Sequence, residues 1–379
     1  AILAQGLLLE RGDLQTCGLV LHFALEMLAS LPTSSISERS NAAMRARLDL
    51  GQGESLDHGA IEHLGENGLL ASMDQDDLVA AAFHMVAGGD HPILRNLAES
   101  VPGVVHVHKH LGSGTFGNVW ECDLAGHAER VALKVFKPRL NGPSLARECQ
   151  VHAGLQHPNL VQLFQAIEGP PSAIAMELCP GGTLAQLIHP PRAEGAAFAD
   201  ITLRARVRMA LDVVACIEYL HSRGVLHRDV KPSNCFLSFA VEAVTTEIPV
   251  VKLGDLGLAQ HEAEEMNQRV GTLRYMAPEL MQGKNYGFPV DIYSFGMLFF
   301  ELITGLVPFS TSLEHLQNDA AFVLAVCMGE RPALDGHLPS VAVMEDLRSI
   351  IESSWSGKPG NRPTAGALAE HLSSMWMKM

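Results

Sequence analysis

The sequence has no uncharged apolar run near the roughly 18 residues that a membrane span needs. No span is expected. It has no Cys-x-x-Cys pair, and its 7 cysteines are odd in number. A zinc ribbon and a secreted disulfide scaffold are both disfavoured by that pattern, and reduced thiols in an intracellular, most simply cytoplasmic, setting are expected. The apolar start, Ala1–Leu9, has no basic n-region, so it does not read as a signal peptide. Basic residues are scarce: 27 Lys+Arg stand against 42 Asp+Glu, a formal net charge of −15. Such a field opposes nonspecific binding to nucleic acid or anionic membranes.

What is present is the composition of a folded globular chain. Hydrophobic residues make up 47% of 379, which excludes global disorder. That length allows two or three domains, or one larger bilobal unit. The acidity is uneven. Residues 1–104 carry 5 Lys+Arg and 14 Asp+Glu, so −9 of the −15 falls on about a quarter of the chain.

Residues 1–104 read as mainly helical. Leu14–Leu31 shows three- and four-residue apolar spacing and stops at Pro32. Ser35–Leu50 is a more polar candidate, and Asp74–Val86 opens on acidic residues and ends before Gly88-Gly89. No repeat and no chemistry is visible there. A small helical domain or interdomain segment is the plain expectation; a regulatory module is the sharper one. From about Val104 the texture changes. Val104–Leu111, Val119–Leu124 and Val131–Phe136 predict strands of a meander, followed by a helix over Pro143–Leu155 and strands over Leu160–Ile167 and Ser172–Leu178. Beyond Thr183 helices dominate, with Leu203–His221 and Asp291–Thr304 the clearest. Strands followed by helices predict an α+β chain with two lobes.

The first chemical signal is Leu111-Gly-Ser-Gly-Thr-Phe-Gly-Asn-Val119. Gly112, Gly114 and Gly117 let a backbone approach phosphates that a Cβ would hold off. Alone, this is as readily an ordinary glycine-rich hairpin. In a dinucleotide fold a helix would begin on the loop, whereas here the strand-like Val119-Trp-Glu-Cys122 follows, which disposes of an oxidoreductase. A hairpin later, Val131-Ala-Leu-Lys134 places an ammonium on a strand, where it can bind phosphate oxygens as a point charge. Glu148, on the helix-like segment, is its candidate partner. Taken singly, both would be surface charges.

His227-Arg-Asp-Val-Lys-Pro-Ser-Asn234 is the second constellation. Asp229 is a candidate acceptor for a hydroxyl proton, Lys231 a candidate partner for a transferring phosphate, and Asn234 a hard amide-oxygen ligand for Mg2+. Asp255-Leu-Gly257 adds a carboxylate for the same metal. Each alone reads as a turn or cap residue. Their joint order and spacing do not.

With these motifs, residues 105–378 resemble a eukaryotic protein kinase catalytic domain of the Ser/Thr type. The likeness also rests on Ala277-Pro-Glu279, Asp291-Ile-Tyr-Ser-Phe-Gly296 and Asn361-Arg-Pro363. It is closest to tyrosine-kinase-like Ser/Thr kinases, with some features of NIMA-related kinases. It implies a bilobal fold, with a β-rich N-lobe over about 105–178 and a larger helical C-lobe over about 182–378. It implies ATP and Mg2+ as cofactors and Ser/Thr side chains of proteins as acceptors. Lys134 and Glu148 would form an ion pair; Asp229 would orient the acceptor hydroxyl beside Lys231; Asn234 and Asp255 would hold Mg2+. Leu111, Gly112, Gly114, Gly117, Val119, Ala132 and Phe236 would surround ATP. Met176 would be the gatekeeper, and Glu177–Cys179 the hinge. Thr272 would touch Asp229 and Lys231, Glu279 would pair with Arg362, and Asp291 would brace the catalytic loop. Residues 1–104 would then be an appendage with an autoinhibitory or partner-binding role.

Several departures from that pattern stand out. Leu256 replaces the commoner Phe, His152 stands where a packed Leu or Met is usual, and the stretch from Asn234 to Asp255 is long, which predicts an extended hairpin around Phe239–Pro249. His152 reads as a buried, hydrogen-bonded ring or as a weak point of its helix. Between Leu258 and Gly271 there is no Ser, Thr or Tyr. Phosphorylation there is the usual means of ordering this segment. Glu262, Glu264 and Glu265 are either fixed charge for Arg228 or solvated loop carboxylates. A pseudokinase scaffold is the competing reading, and the retention of Lys134, Asp229, Asn234 and Asp255 opposes it.

Overall fold

The computed structural model describes residues 100–113, 117–136, 143–152, 154–169, 171–190, 198, 201–241, 247–261, 270–313, 318–338 and 342–379. The helices expected within 1–99, Gly114, and Glu262, Glu264 and Glu265 lie outside the described residues. The chain divides into two compact units, one of residues 1–139 with 167–173, the other of 140–166 with 174–379.

The first unit is a β meander. Strands β1 (Val104–Ser113), β2 (Gly117–Leu124) and β3 (Val131–Phe136) run antiparallel in order. Branched and aromatic residues favour these strands, and Val107, Trp120, Cys122, Leu124, Val131 and Leu133 form one buried side, while Phe136 is buried on the other face, beside Lys134. Three register shifts interrupt the β1–β2 ladder. The outer face of β2 is polar. There Glu121 is buried beneath Lys109 and Arg130, at 3.3 and 2.6 Å. Burial would raise the Glu121 carboxyl, but those two cations hold it below its ordinary value.

The second unit is mostly helical: α1 (Pro143–His152), α2 (Leu184–Ile188), α3 (Leu203–Ser222), α4 (Pro278–Met281), α5 (Pro289–Thr304), α6 (Asp319–Met328), α7 (Met344–Ser354) and α8 (Ala365–Lys378). It also holds the short ladders β6 (Val225–Leu226) with β9 (Gln260–His261) and β7 (Cys235–Leu237) with β8 (Val251–Leu253). Strands β4 (Leu163–Ile167) and β5 (Ala173–Glu177) lie near its start. Helix α3 begins where the Thr202 hydroxyl accepts the Ala205 N–H, and ends before Gly224 at φ +71°. Helix α5 starts on Pro289 and stops at Gly305 in the left-handed region. Residues 290–303 of α5 are all buried, as an all-round apolar helix requires, and α5 packs against α3 and α7.

Two boundaries differ from the sequence reading by three residues each. Helix α1 ends at His152 instead of Leu155, with Gly154 at φ +77° just beyond it. The strand expected from Leu160 begins at Leu163, because Leu160 forms a bridge with Leu253 and Val161 donates its N–H to Leu253 O. The long stretch after Asn234 is a hairpin, β7–β8, closed at its outer end by Ser238 N–H to Val250 O at 3.0 Å. His152 is a core residue, 3% exposed, with Nε2 3.0 Å from Val161 O.

One core group is poorly satisfied. Tyr293 is fully buried between the guanidinium groups of Arg331 and Arg362, 5.2 and 5.0 Å from the ring centre. Its hydroxyl finds no hydrogen-bond partner among the described residues. Tyr293→Phe keeps the ring and both cation–π contacts and deletes the stranded hydroxyl. The expected result in thermal unfolding is a gain of about 1 kcal/mol, read as a Tm rise of about 2–4 °C.

Candidate active site

The first unit carries the glycine segment and Lys134. Gly117 is obligatory, since a Cβ there would lie 2.1 Å from Val135 O. At Gly112 a Cβ would meet nothing within 4 Å, so the glycine is not required by packing. Register places Gly112 opposite Val119, and Val119 opposite Lys134. Leu111 is exposed, Ala132 is buried, and Lys134 is buried with Nζ 5.5 Å from the Phe136 ring centre. Glu148, on α1 in the other unit, is 1% exposed.

The second unit gathers the remaining candidates. Asp229 is buried and its two carboxylate oxygens are divided between two sets of donors. Oδ1 accepts the Thr272 N–H and the Thr272 hydroxyl, both at 2.9 Å. Oδ2 lies 2.7 Å from Lys231 Nζ and 3.0 Å from Asn234 Nδ2. Lys231 Nζ also donates to Thr272 Oγ1 at 2.6 Å. Thr272 therefore touches both Asp229 and Lys231. Its place depends on Gly271, whose φ of +108° suits glycine and where a Cβ would sit 2.6 Å from Arg228 O.

Asp291 holds this loop from beneath. Its carboxylate accepts the backbone N–H of His227 at 2.9 Å and of Arg228 at 2.8 Å, and lies 2.8 Å from His221 Nε2. Full burial works against its charge, yet the bonds from His221 and His227 outweigh that and keep the carboxyl below its ordinary value. The His227 ring ties the loop to the metal segment. Nδ1 faces the Asp229 N–H at 3.3 Å and Nε2 faces Gly254 O at 3.0 Å, which fixes the Nε2–H tautomer. Asp255 follows at φ +59°, and Leu256 is fully buried.

Asn234 and Asp255 fit a magnesium ion by donor type. Asn234 commits its NH2 to Asp229, to the backbone oxygen at 2.9 Å and to Oδ2 at 3.0 Å. Its amide oxygen is thereby left as the ligand atom, hard like the Asp255 carboxylate. No group of three or more His, Cys, Asp or Glu suited to a metal occurs among the described residues. An ion held by one carboxylate and one amide takes its other ligands from substrate phosphates and water.

The candidate hinge residues lie at and just after the end of β5. Met176 is buried on β5. Glu177 donates its N–H to Gln162 O at 2.8 Å, and its carboxylate accepts the Gln162 N–H at 3.2 Å and binds Lys252 Nζ on β8 at 2.9 Å. Burial, reinforced by Glu177, pushes the Cys179 thiol up to about 12, so it stays protonated at neutral pH. Phe236 on β7 lies against Gly254, where a Cβ would be 2.9 Å from its ring. In the lower core, Arg362 forms a two-pronged pair with Glu279.

Other residues of this site were not anticipated. His221 supports Asp291, Gln260 and Tyr286 hold Arg228, and Tyr275 donates its hydroxyl to buried Glu301 at 2.5 Å, with His189 at 2.8 Å on the other oxygen. Burial raises the Glu301 carboxyl against the pull of those two bonds. A single glutamate in the otherwise apolar run Phe299-Phe-Glu-Leu-Ile303 is a signal that could have marked Glu301 as a buried, partnered charge.

A buried carboxylate ringed by a lysine, an asparagine and a threonine, with a second carboxylate in the next loop, defines a phosphoryl-transfer site. Residues 105–376 match the family model described as protein kinase domain. The chain belongs to the protein kinase domain family. It is 33% identical over 278 residues to a dual serine/threonine and tyrosine protein kinase of Tetraodon nigroviridis, which covers 72% of this chain and 28% of that protein. It is 32% identical over 269 residues to serine/threonine-protein kinase Nek5 of Mus musculus, covering 69% and 39%. It is 29% identical over 272 residues to serine/threonine-protein kinase STY46 of Arabidopsis thaliana, covering 70% and 43%. The chain thus spans less than half the length of each of these relatives. Among the described residues no helix is long and apolar enough to cross a membrane.

Proposed function

We propose that this chain is a protein serine/threonine kinase that transfers the γ-phosphoryl group of ATP to Ser/Thr hydroxyls of protein substrates. The observation that carries the reading is the environment of Asp229. Its Oδ2 is the side shared with Lys231 and Asn234, and its Oδ1 is saturated by Thr272. Asp229 accepts the proton of the incoming hydroxyl, and Lys231 neutralises charge on the transferring group. Asn234 and Asp255 hold Mg2+, which neutralises the phosphates when bound. Lys134 and the glycine segment of Gly112, Gly114 and Gly117 bind the phosphate oxygens. In the first unit Leu111, Val119 and Ala132 are the proposed apolar contacts of adenine; in the second, Met176 and Phe236 are, with Glu177–Cys179 for its backbone bonds.

Ser/Thr selectivity is supported by Lys231 with Thr272 and by the names of the relatives, one of which is dual-specific. The kinase domain spans about 105–378, and residues 1–104 act as an autoinhibitory or partner-binding region. Thiols that do not pair among the described cysteines, together with a need for ATP, support an intracellular, cytoplasmic setting. Acid hydrolysis and phosphoamino-acid separation of the labelled product test the acceptor class. Phosphoserine and phosphothreonine are expected; label found only in phosphotyrosine would reject it.

A further inference from the structure

Arg228 is the residue beside the proposed base, and its backbone is under strain. Its φ is +67°, a left-handed conformation that a non-glycine residue keeps only where its surroundings over-determine it. Asp291 fixes its N–H, as described above. Its guanidinium is equally constrained, and Arg228 is only 3% exposed. Nε donates to Leu258 O at 2.6 Å, and Nη1 donates to Gln260 Oε1 and to Tyr286 Oη, the latter at 2.9 Å. One side chain thus joins three segments: the catalytic loop, the stretch just after Asp255, and the approach to α5. The β6–β9 ladder sets up this reach by placing Gln260 opposite Leu226, two residues before Arg228.

The usual way to order such an arginine is a phosphate on the segment that follows the metal loop. That segment, Leu258–Gly271, contains no hydroxyl residue. The next hydroxyl, that of Thr272, is already engaged by Lys231 and Asp229. Charge-assisted hydrogen bonds from a guanidinium to amide and phenol oxygens are strong when buried, and they require no modification.

We propose that Gln260 and Tyr286 are positioning residues for catalysis, holding Arg228 and through it Asp229, so that phosphoryl transfer proceeds without phosphorylation of the 258–271 segment. This rests on the kinase reading above. Freed of either acceptor, Arg228 can relax its left-handed peptide, and Asp229 rotates away from the acceptor hydroxyl.

The test uses the full chain and its Gln260→Ala, Tyr286→Phe and Gln260→Glu variants, with Asp229→Asn as control. Gln260→Ala and Tyr286→Phe are each expected to lower kcat by about tenfold, a misplacement effect. KM for ATP should stay within about two-fold, because a merely structural loss would not split the two constants. Gln260→Glu restores a side-chain acceptor and should recover most of what Gln260→Ala loses. Treating the parent with a protein phosphatase should leave kcat within about two-fold. Gln260→Ala and Tyr286→Phe that both match the parent, or a parent inactivated by phosphatase, overturn the positioning role alone. A parent no more active than the Asp229→Asn control overturns the kinase reading and this role with it.

Discussion

Asp229→Asn is expected to lower kcat by about 10²–10⁴-fold while ATP binding changes little. Asparagine keeps the volume and one oxygen for Thr272, while its NH2, in place of Oδ2, faces the donors Lys231 and Asn234. It cannot accept the hydroxyl proton, and it loses the ion pair with Lys231 at 2.7 Å. The loss should therefore appear in kcat and in kcat/KM alike, with KM for ATP close to that of the parent. Steady-state kinetics over a range of ATP concentrations checks this. A variant that binds ATP much more weakly yet turns over normally would instead mark Asp229 as a ground-state binding residue.

The second large effect concerns stability. Arg362→Ala is expected to destabilise the chain by about 3–5 kcal/mol, because it leaves Glu279 buried without its cation. Both residues are under 9% exposed. The pair is two-pronged at 2.5 and 2.8 Å, and Arg362 also donates to Pro289 O and Ser356 O, each at 2.9 Å. Breaking it removes supports from α4, at Glu279, and from the start of α5, at Pro289. Arg348 makes an instructive control, since its pairs with Asp335 and Glu352 lie at the surface, where solvent screens them. Denaturant unfolding of the two alanine variants should separate them clearly, with Arg348→Ala close to the parent.

Both predictions draw on features that the sequence reveals unequally. Strand β3 was legible to the residue, because Val131–Phe136 is a short branched and aromatic run between polar loops. Asp229, Lys231 and Asn234 were legible because fixed short spacing lets one loop present all three. Thr272 beside them, Asp291 beneath them and the Glu279–Arg362 pair came only through the family likeness, since each joins residues dozens of positions apart. The supports of Arg228 had no such guide. The acidic trio after His261 was one of two readings for that cation, but those residues lie outside the described ones, and the partners that are seen are the amide of Gln260 and the phenol of Tyr286. Neutral acceptors for a cation leave no charge pattern to read. The ends of α1 and β4 shifted for a related reason: local periodicity runs on past His152 and back to Leu160, while tertiary bonds to Val161 O and Leu253 decide where the elements stop.

The sharp asymmetry of charge also gains meaning. The acidic surplus sits mostly in residues 1–104, whereas the proposed phosphate-binding groups, Lys134 and Lys231, stand in a catalytic domain much nearer neutrality. On the proposed function, those lysines and a bound Mg2+ would hold a polyanion against the overall field.

The measurement that bears most directly on this account is incorporation of the γ-phosphate of Mg-ATP into protein by the parent chain, beside Asp229→Asn and Lys134→Met. Incorporation by the parent, falling to background in both variants, is the result predicted. Equal incorporation in all three would contradict catalysis at this site.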